Sequence, residues 1–408
     1  MIKPRIYFVP PNIAALKYYE RLILHLEDRY DVGFLLVRHE GSLLSEMAGY
    51  CRARGRNFYI LNLGSKTQRG SVPFISPIRK MLAHEKSCHD FLKNMRPAKL
   101  IFEKTTNPMS SIAYEANHQG VETIVLQWCF LSSVQRELRM HEKAPIPFAR
   151  REYNRAVLAL YGGVRFLAGA TEGMNKDRHI TPRKLGLFEE HFATRFPEMP
   201  AIVRNVGNLD IQTTNELNRR VLGDASFRAG LEIKYSLETG KKNILVFSAR
   251  ILSISFPREK YLEYYKGVFS ELRAHFPREE FAVLFKLHPK EDLEAVRVLC
   301  KEYDARAYGG EADSGELTVL SHLVVADPMS SVNYHVLGSG IPAIFINFSG
   351  SRTIEAGKDG LSIKHVVHDR EEFGTMLRSF KEGRLEKQYD NTNIELRSRE
   401  KIVELINV

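Results

Sequence analysis

The sequence predicts an α/β protein of two domains, each with helices packed on a parallel β-sheet. Length is one indication, because 408 residues exceed what a single hydrophobic core ordinarily holds and suit two domains of about 190 residues. An internal repeat is the second, since residues 107–126 recur at 327–346 with a constant offset of 220 positions. Around each copy an apolar strand, a polar turn, a helix, a glycine and another apolar strand follow one another, which is the order of a strand-helix-strand crossover.

Each copy of the repeat opens on a pattern that predicts a helix start. Asn107 and Asp327 are residue types that cap helices, and the proline after each suits the first helical position. Two serines then fall in the first predicted helical turn of each copy: Ser110 and Ser111 in the first, Ser330 and Ser331 in the second. Free backbone N–H groups, the helix dipole and two hydroxyls favour a phosphate, and a helix start at the carboxyl end of a parallel strand faces the ligand. A helix capped only for stability explains the same pattern, and the second copy is the better candidate for a phosphate site.

Changes in the pattern of strands and helices give the expected domain boundaries. The predicted strand at 201–206 closes the first half, and the apolar strand at 243–247 opens the second. The segment between them has helical spacing and predicts a connector. The expected organisation is an N-terminal domain at 1–210, a helical linker at 211–240, a second domain at 241–390 and a C-terminal helix at 391–408, able to fold back over the first domain.

Composition limits the classes of protein to which the chain can belong. A hydrophobic content of 44% and a charged content of 26% are ordinary for a soluble globular protein. No apolar run approaches the roughly 20 residues that span a bilayer, and the N-terminal residues lead into a strand without the apolar core of a signal peptide. The four cysteines are scattered without zinc-site spacing, so we expect reduced thiols and a cytoplasmic location.

The positive charge of the chain indicates the chemistry of its partners. A net charge of +10 and a pI near 9.3 favour nucleotides, acidic glycans or anionic lipid head groups, although ordinary surface charge gives the same balance. Zinc-finger, RNP-like and compact basic sequences are absent, so we expect no nucleic-acid partner. A peripheral contact with the anionic inner face of a membrane stays open.

A second motif, His288-Pro289, stands where the predicted strand at 281–287 ends. The carboxyl end of a strand in an open parallel sheet is the ligand edge, and the proline fixes the backbone beside the histidine. A lone His-Pro pair is common, so the inference depends on the order of motifs. Residues 286–290 are followed by a helix and a strand, then by the Ser-Ser copy of the repeat, then by the Gly-Ile-Pro-Ala run at 340–343.

This order, within two Rossmann-like halves, resembles the GT-B glycosyltransferase fold. It looks most like the bacterial sialyltransferase and polysialyltransferase families, whose second domain carries a His-Pro motif and a Ser-Ser or Ser-Thr motif. The resemblance covers roughly residues 243–367, and in the first half it is architectural only. It implies that His288, beside Pro289, contacts the nucleotide phosphate and assists departure of the leaving group. It also implies that Ser330 and Ser331 bind the same phosphate.

The same resemblance implies a reaction. It is an inverting, metal-independent transfer of a sugar from a nucleotide sugar to a hydroxyl of a glycan, a lipid-linked saccharide or a protein. The donor implied is a CMP-activated nonulosonic acid such as sialic, pseudaminic or legionaminic acid, and no separate cofactor is expected. We expect no metal because the sequence has no Asp-x-Asp triplet. Arg250 and Lys290 are candidates for contact with the carboxylate or phosphate of the donor, and surface charge is the alternative for both.

The catalytic base is the point where the sequence departs from these families. They carry an Asp/Glu-Asp/Glu-Gly motif in the first domain, and this chain has no clean copy. Glu40 and Glu172 each precede a glycine, and Glu103 ends the strand before the first repeat copy. Glu40 ranks slightly first as the nearest remnant of the motif, while pseudo-symmetry with the donor site favours Glu103. His39 is an alternative base, and a solvated surface carboxylate is the alternative for each glutamate.

Three other functions remain open. The run 205–208 before the linker resembles the Val-x-Gly-Asn of UDP-N-acetylglucosamine 2-epimerases. That family's His-Pro-Asn and Asp-Ser-Gly-Gly runs are missing, since Lys290 and Met329-Ser330 occupy the corresponding places. The chain also resembles bacterial glycerophosphate transferases that use CDP-glycerol, which have similar His-Pro and Asp-x-x-Ser-Ser sequences. A nucleotide-sugar-binding module without catalytic activity is the third alternative.

Overall fold

The computed structural model of the chain describes residues 2–38, 42–62, 75–105, 109–127, 180–187, 196, 198–249, 258–288, 291, 293–328, 330–348, 366–385 and 396–408. These residues form two compact units. The first holds the described residues up to 207 together with Arg397–Val408, and the second holds those of Asn208–Leu396.

The first unit is built on a parallel sheet of seven strands. In chain order these are β1 Arg5–Val9, β2 Asp31–Arg38, β3 Phe58–Asn62, β4 Lys99–Phe102, β5 Glu122–Leu126, β6 Lys184–Leu187 and β7 Ile202–Asn205, paired in the order β3-β2-β1-β4-β5-β6-β7. The helices described between the strands are α1 Ile13–Ile23, α2 Ser42–Ala53, α3 Ile75–Met95 and α4 Ser110–His118. The strands are nearly continuous apolar runs because both faces of a parallel sheet are covered by helices.

The second unit is built on a parallel sheet of six strands. They are β8 Lys242–Phe247, β9 Phe281–Lys286, β10 Ala305–Tyr308, β11 Leu323–Ala326, β12 Ala343–Ile346 and β13 Val366–Val367, paired in the order β10-β9-β8-β11-β12-β13. The helices described in this unit are α5 Leu209–Gly223, α6 Ala225–Lys234, α7 Arg258–His275, α8 Leu293–Glu302, α9 Ser314–Val319, α10 Asn333–Ser339 and α11 Arg370–Lys381. The last helix of the chain, α12 Ser398–Asn407, belongs to the first unit.

The two sheets share one topology. In each, the first strand lies inside the sheet, the second and third strands extend to one side of it, and the fourth returns to its other side. Strand order reverses between the first and fourth strands, and open α/β sheets bind ligands in the crevice outside the carboxyl ends at such a point. The predicted fold class, two Rossmann-like parallel-sheet domains, is confirmed.

The internal repeat occupies the same place in both sheets. It forms β4-α4-β5 in the first unit and β11-α10-β12 in the second, and each strand pair is parallel. The repeated glycines follow their helices in the left-handed conformation, with φ of 77° at Gly120 and 67° at Gly340, which explains why glycine stands there twice. One difference separates the copies. Asp327 follows its strand directly, whereas residues 103–106 intervene between Phe102 and Asn107.

The segment 211–240, predicted as a linker, lies in the second unit as most of α5 and all of α6. Helix α5 packs against α10, the helix of the second repeat copy. The Thr214 hydroxyl and His335 Nδ1 are 2.8 Å apart, and the Asn218 amide donates to the Ser339 carbonyl at 2.8 Å. Gly338 makes this close approach possible because it has no side chain. The segment is therefore part of the second unit's core packing.

Replacing Gly338 with alanine tests this packing. An added Cβ would lie 2.4 Å from the Ile211 carbonyl oxygen and 2.9 Å from Thr214 Cβ, so the helices must separate. We expect the free energy of unfolding to fall by about 1–3 kcal/mol in denaturant titrations, as overpacking ordinarily costs. Gly230→Ala in α6 is the matched control, since an added Cβ there meets nothing within 4 Å. Equal stability of the two variants would contradict the packing argument.

A cluster of charged side chains holds the C-terminal helix α12 against the amino edge of the first sheet. Glu122 binds Lys99 at 2.5 Å and Lys184 at 2.6 Å, and the two lysines also donate to the Ile406 and Leu405 carbonyls at the end of α12. Lysines at a helix C-terminus satisfy its open carbonyls and complement its dipole. Burial pushes the pKa of Glu122 upward, but the hydrogen bonds from the two lysines outweigh it, and the pKa lies below its ordinary value of 4.5.

Glu122→Gln should destabilise the first unit. It leaves Lys184, whose side chain is 3% exposed, without its counter-ion, and we expect a loss of about 2–3 kcal/mol at pH 7. Because the folded pKa of Glu122 lies below the unfolded one, its contribution is complete above pH 4.5 and disappears as pH falls through the folded pKa. Denaturant unfolding of wild type and variant across that range measures the difference.

The pair of exposed Glu27 and half-buried Arg56, 3.1 Å apart, supplies the control. Glu27→Gln should cost less than about 1 kcal/mol at pH 7 because exposed ion pairs contribute little. A Glu122→Gln difference that stays constant down to the lowest pH at which the fold survives would argue against the ion-pair explanation.

Candidate functional site

The carboxyl edge of the second sheet collects the polar residues that the sequence singled out. Ser248 follows β8, His288 lies two residues past β9, and Asp327 follows β11. Strands β9 and β11 flank β8, so the three strand ends adjoin one another. His288 is half-buried, whereas Ser248 and Asp327 are buried. The topology therefore brings the His-Pro and Ser-Ser motifs, far apart in sequence, to the reversal point of one sheet.

The backbone of His288 is held by two side chains. Its N–H donates to the Ser248 hydroxyl at 2.8 Å and to Glu291 Oε2 at 2.9 Å. The Ser248 hydroxyl in turn donates to the same Glu291 oxygen. The N–H of Glu291 donates to the His288 carbonyl at 2.9 Å, which closes a four-residue turn. The sequence analysis did not select Glu291, although its spacing of three from His288 is that of a side chain reaching back to a helix-start N–H.

Ser330 and Ser331 are half-buried and lie in a turn before α10, not in its first turn as predicted. The helix begins at Asn333, and the Asp327 side chain does not cap it. The Asp327 carbonyl instead accepts from the Ser330 N–H at 3.3 Å and from the buried Asn333 amide at 3.0 Å. Consecutive bonds between residues three apart continue to His335, so the chain winds as a tight turn before helical bonding begins. The predicted Asp327 cap is therefore wrong.

The first copy of the repeat behaves differently. Ser110 and Ser111 do open α4, as predicted, but they are only 5% and 7% exposed. The two serine pairs thus lie at equivalent positions, between the fourth and fifth strands of their sheets, but differ in solvent exposure. The second pair is the more exposed of the two.

A tyrosine accompanies the carboxylate at the end of the fourth strand in each unit. Burial raises the pKa of Tyr264 on α7, and the charge of Asp327 raises it further. In the first unit burial raises the pKa of Tyr19 on α1, and the charge of Glu103 adds to it. Glu103 is 9% exposed and directly follows β4, so it lies at the reversal point of the first sheet. Glu103 and Asp327 therefore each directly follow the fourth strand of their sheet.

The other predicted site residues fall outside the described residues: Glu40, Arg250, Pro289 and Lys290. The same holds for His39 and Glu172. Among the side chains that the structure does describe, no three His, Cys, Asp or Glu residues cluster as a metal site. Within the same part of the chain, no helix has the length and apolar character needed to cross a membrane.

A cavity of about 500 Å³ lies at the outer edge of the second sheet, away from these residues. It is lined by the first residues of β9, by β10 and by α8, with Cys300 and Arg306 among them. The cavity opens at the amino ends of β9 and β10, whereas His288 and Ser330 lie at the carboxyl edge. The motif residues and this cavity are therefore separate features of the unit.

The whole chain is similar in fold to solved structures. A UDP-GlcNAc 2-epimerase from Neisseria meningitidis bound to UDP-GlcNAc matches with a TM-score of 0.61 and 12% identity over 99% of both chains. The glycotransferase of kitacinnamycin matches with a TM-score of 0.61 and 13% identity over 100% of this chain and 99% of its own. A spinosyn rhamnosyltransferase complexed with thymidine diphosphate matches with a TM-score of 0.51 and 12% identity over 99% of this chain and 96% of its own. No protein-family model and no curated protein matches the sequence.

The chain has a GT-B-type fold. Both epimerases and glycosyltransferases are among the structural neighbours, so the fold by itself does not choose between these two activities. At these identities the likeness concerns the fold alone. The choice of reaction depends on the residues at the carboxyl edges of the two sheets.

Proposed function

We propose that the chain is a glycosyltransferase whose nucleotide-sugar donor places its phosphate at the carboxyl edge of the second sheet. The observation that carries the proposal is the convergence of His288 and the Ser330-Ser331 turn on strands that flank β8. Two strand spacings amount to about 9.5 Å, a separation that side chains from both ends bridge to one phosphate. The structural neighbours with UDP-GlcNAc and thymidine diphosphate support a nucleotide ligand.

On the donor side, the residues would stabilise charge that develops as the sugar leaves. The hydroxyls of Ser330 and Ser331, with nearby backbone N–H groups, donate hydrogen bonds to the phosphate. The imidazole of His288 donates a proton or a charged hydrogen bond to the departing phosphate oxygen. This assignment supplies the charge neutralisation without a divalent metal.

On the acceptor side, the proposal assigns proton removal to a carboxylate of the first unit. Glu103 is the candidate that the structure describes, and Glu40 and Glu172 are tested beside it. The base removes the proton of an acceptor hydroxyl as that oxygen attacks the anomeric carbon opposite the nucleotide. Such a displacement inverts the configuration at that carbon.

For the donor we propose a CMP-activated nonulosonic acid, and for the acceptor a hydroxyl of a glycan, a lipid-linked saccharide or a protein. The net charge of +10 supports acidic ligands on one or both sides of the reaction. The same charge supports a cytoplasmic protein that contacts the anionic inner membrane face. A panel of CMP-, CDP-, UDP- and dTDP-sugars, assayed for hydrolysis and transfer, identifies the donor.

Replacing Ser330 and Ser331 with alanine should weaken nucleotide binding by roughly tenfold or more for each hydroxyl, because each lost bond to a charged phosphate is worth about 1.5–3 kcal/mol. Isothermal titration with CMP, CDP and UDP measures the change. The Ser110→Ala/Ser111→Ala pair in the first repeat copy is the matched control and should bind normally. Unchanged affinity in the Ser330/Ser331 variants would remove the phosphate assignment.

Glu103→Gln should lower kcat by about 10²–10⁴-fold and leave donor affinity intact, since general-base assistance is lost while the donor site is unchanged. Steady-state transfer kinetics with parallel donor titration measure both quantities. Glu40→Gln and Glu172→Gln are assayed in the same way. If all three variants transfer sugar at nearly the normal rate, the carboxylate-base mechanism is wrong.

A UDP-GlcNAc 2-epimerase is the second candidate, favoured by neighbours of that activity that match the full chain, two of them bound to UDP-GlcNAc. Incubation with UDP-GlcNAc in deuterated water distinguishes the two functions. Release of the 2-epimer carrying deuterium at C2 would select the epimerase, whereas turnover only in the presence of an acceptor selects the transferase. CDP-glycerol in the same panel tests the glycerophosphate alternative, and binding without turnover of any donor identifies a binding module.

A further inference from the structure

Glu291 makes more contacts around His288 than a residue of a solvated turn needs. One carboxylate oxygen accepts from both the His288 N–H and the Ser248 hydroxyl, and the Glu291 N–H binds the His288 carbonyl. Its other oxygen is buried from solvent. Burial raises the pKa of Tyr261 on α7, and the charge of Glu291 raises it further. Through these hydrogen bonds Glu291 joins the ends of β8 and β9.

We propose that Glu291, together with Ser248, is a positioning residue that fixes the direction in which His288 presents its imidazole at the ligand edge. The inference rests on the proposed role of His288 in sugar transfer. It adds the two side chains, Ser248 and Glu291, that bind the His288 backbone. No nucleotide contact is assigned to Glu291 itself.

The hydrogen-bond geometry explains why a carboxylate is suited to this place. The His288 N–H is shared between two acceptors, and hydrogen bonds to an ionised acceptor are about twice as strong as neutral ones. Bonds to both the N–H and the C=O of one residue restrain both of its backbone torsions, and hence the direction of its Cα–Cβ bond. Burying a carboxylate is costly unless donors compensate for the lost water. Both donors here bind Glu291 Oε2, while the buried Oε1 has no hydrogen-bond partner in the described part of the chain, so the carboxylate depends on these two bonds. Small displacements of a catalytic group have large effects on rate, of the order of 10²-fold for about 1 Å.

The first experiment is independent of any reaction. In the wild-type protein, NMR of labelled histidine should show one side-chain rotamer for His288 and a backbone amide proton shifted downfield by the charged acceptor. In Glu291→Gln the amide proton should move upfield, and in Glu291→Ala the rotamer should become averaged. His288→Asn assigns the signals. If both variants keep the wild-type amide shift and rotamer, the inference is overturned, whether or not the chain proves to be a transferase.

The second experiment separates positioning from simple stabilisation. With the donor found in the panel, Glu291→Gln should lower kcat about tenfold while the donor KM changes less than about twofold. Glu294→Gln is the matched control, because this exposed residue of α8 carries the same charge three positions later and forms an ion pair with exposed Arg297 at 2.9 Å. Its kcat and KM should both be normal. A kcat equal to wild type in Glu291→Gln would overturn the inference.

The third comparison uses Ser248, which binds the same N–H. If the two side chains act through His288 together, Ser248→Ala combined with Glu291→Gln should lower kcat no more than the more damaging single change. Losses that multiply would show independent effects and overturn the shared role. If the wild-type chain transfers no sugar at all, the proposed function fails, and the NMR comparison still decides whether Glu291 fixes His288.

Discussion

The constraint on which the rest of the structure depends is the parallel direction of the strands. In both described sheets every paired strand runs the same way as its neighbour, so the carboxyl ends of all strands meet at one edge. A parallel sheet also needs a long crossover between strands, and the crossover helices cover both faces. Because both faces of the sheet are apolar, few polar side chains can lie on the strands themselves. The strand ends are where polar side chains can be both ordered by the core and open to a ligand.

The two edges of the first sheet are chemically opposite. At the amino edge Lys99 and Lys184 converge on Glu122 and on the end of α12, which satisfies charge internally. At the carboxyl edge Glu103 lies beside the buried ring of Tyr19. A cluster that neutralises itself stabilises the fold, whereas Glu103 lies at the reversal point of strand order, where open α/β sheets bind ligands. The amino edge of this sheet therefore contributes stability, and the proposed function assigns proton removal to its carboxyl edge.

The repeat shows how similar sequences acquire different properties from their surroundings. Both copies supply a strand, a helix and a left-handed glycine at equivalent positions. In the first copy the four residues 103–106 separate β4 from the repeated sequence, and Ser110 and Ser111 are buried. In the second copy the Asn333 side-chain amide donates a hydrogen bond to the Asp327 carbonyl. The two serines lie in a half-buried turn at the carboxyl edge of the sheet. The buried Asn333 amide thus binds the carbonyl of the residue that was expected to cap the helix.

The sequence by itself determined the number of units, their parallel α/β class and the strand that carries each motif, because apolar periodicity and turn residues are local properties. It also placed His288 and Glu103 at strand ends, which the structure reproduces. Only the tertiary structure decided that the segment after Gly207 packs on α10, that Ser110 and Ser111 are enclosed, and that Glu291 and Ser248 hold His288. These features depend on which groups compete for a given carbonyl or N–H across strands and helices. The outcome of that competition depends on distances between groups in the folded chain, and these distances cannot be read from their spacing in the sequence.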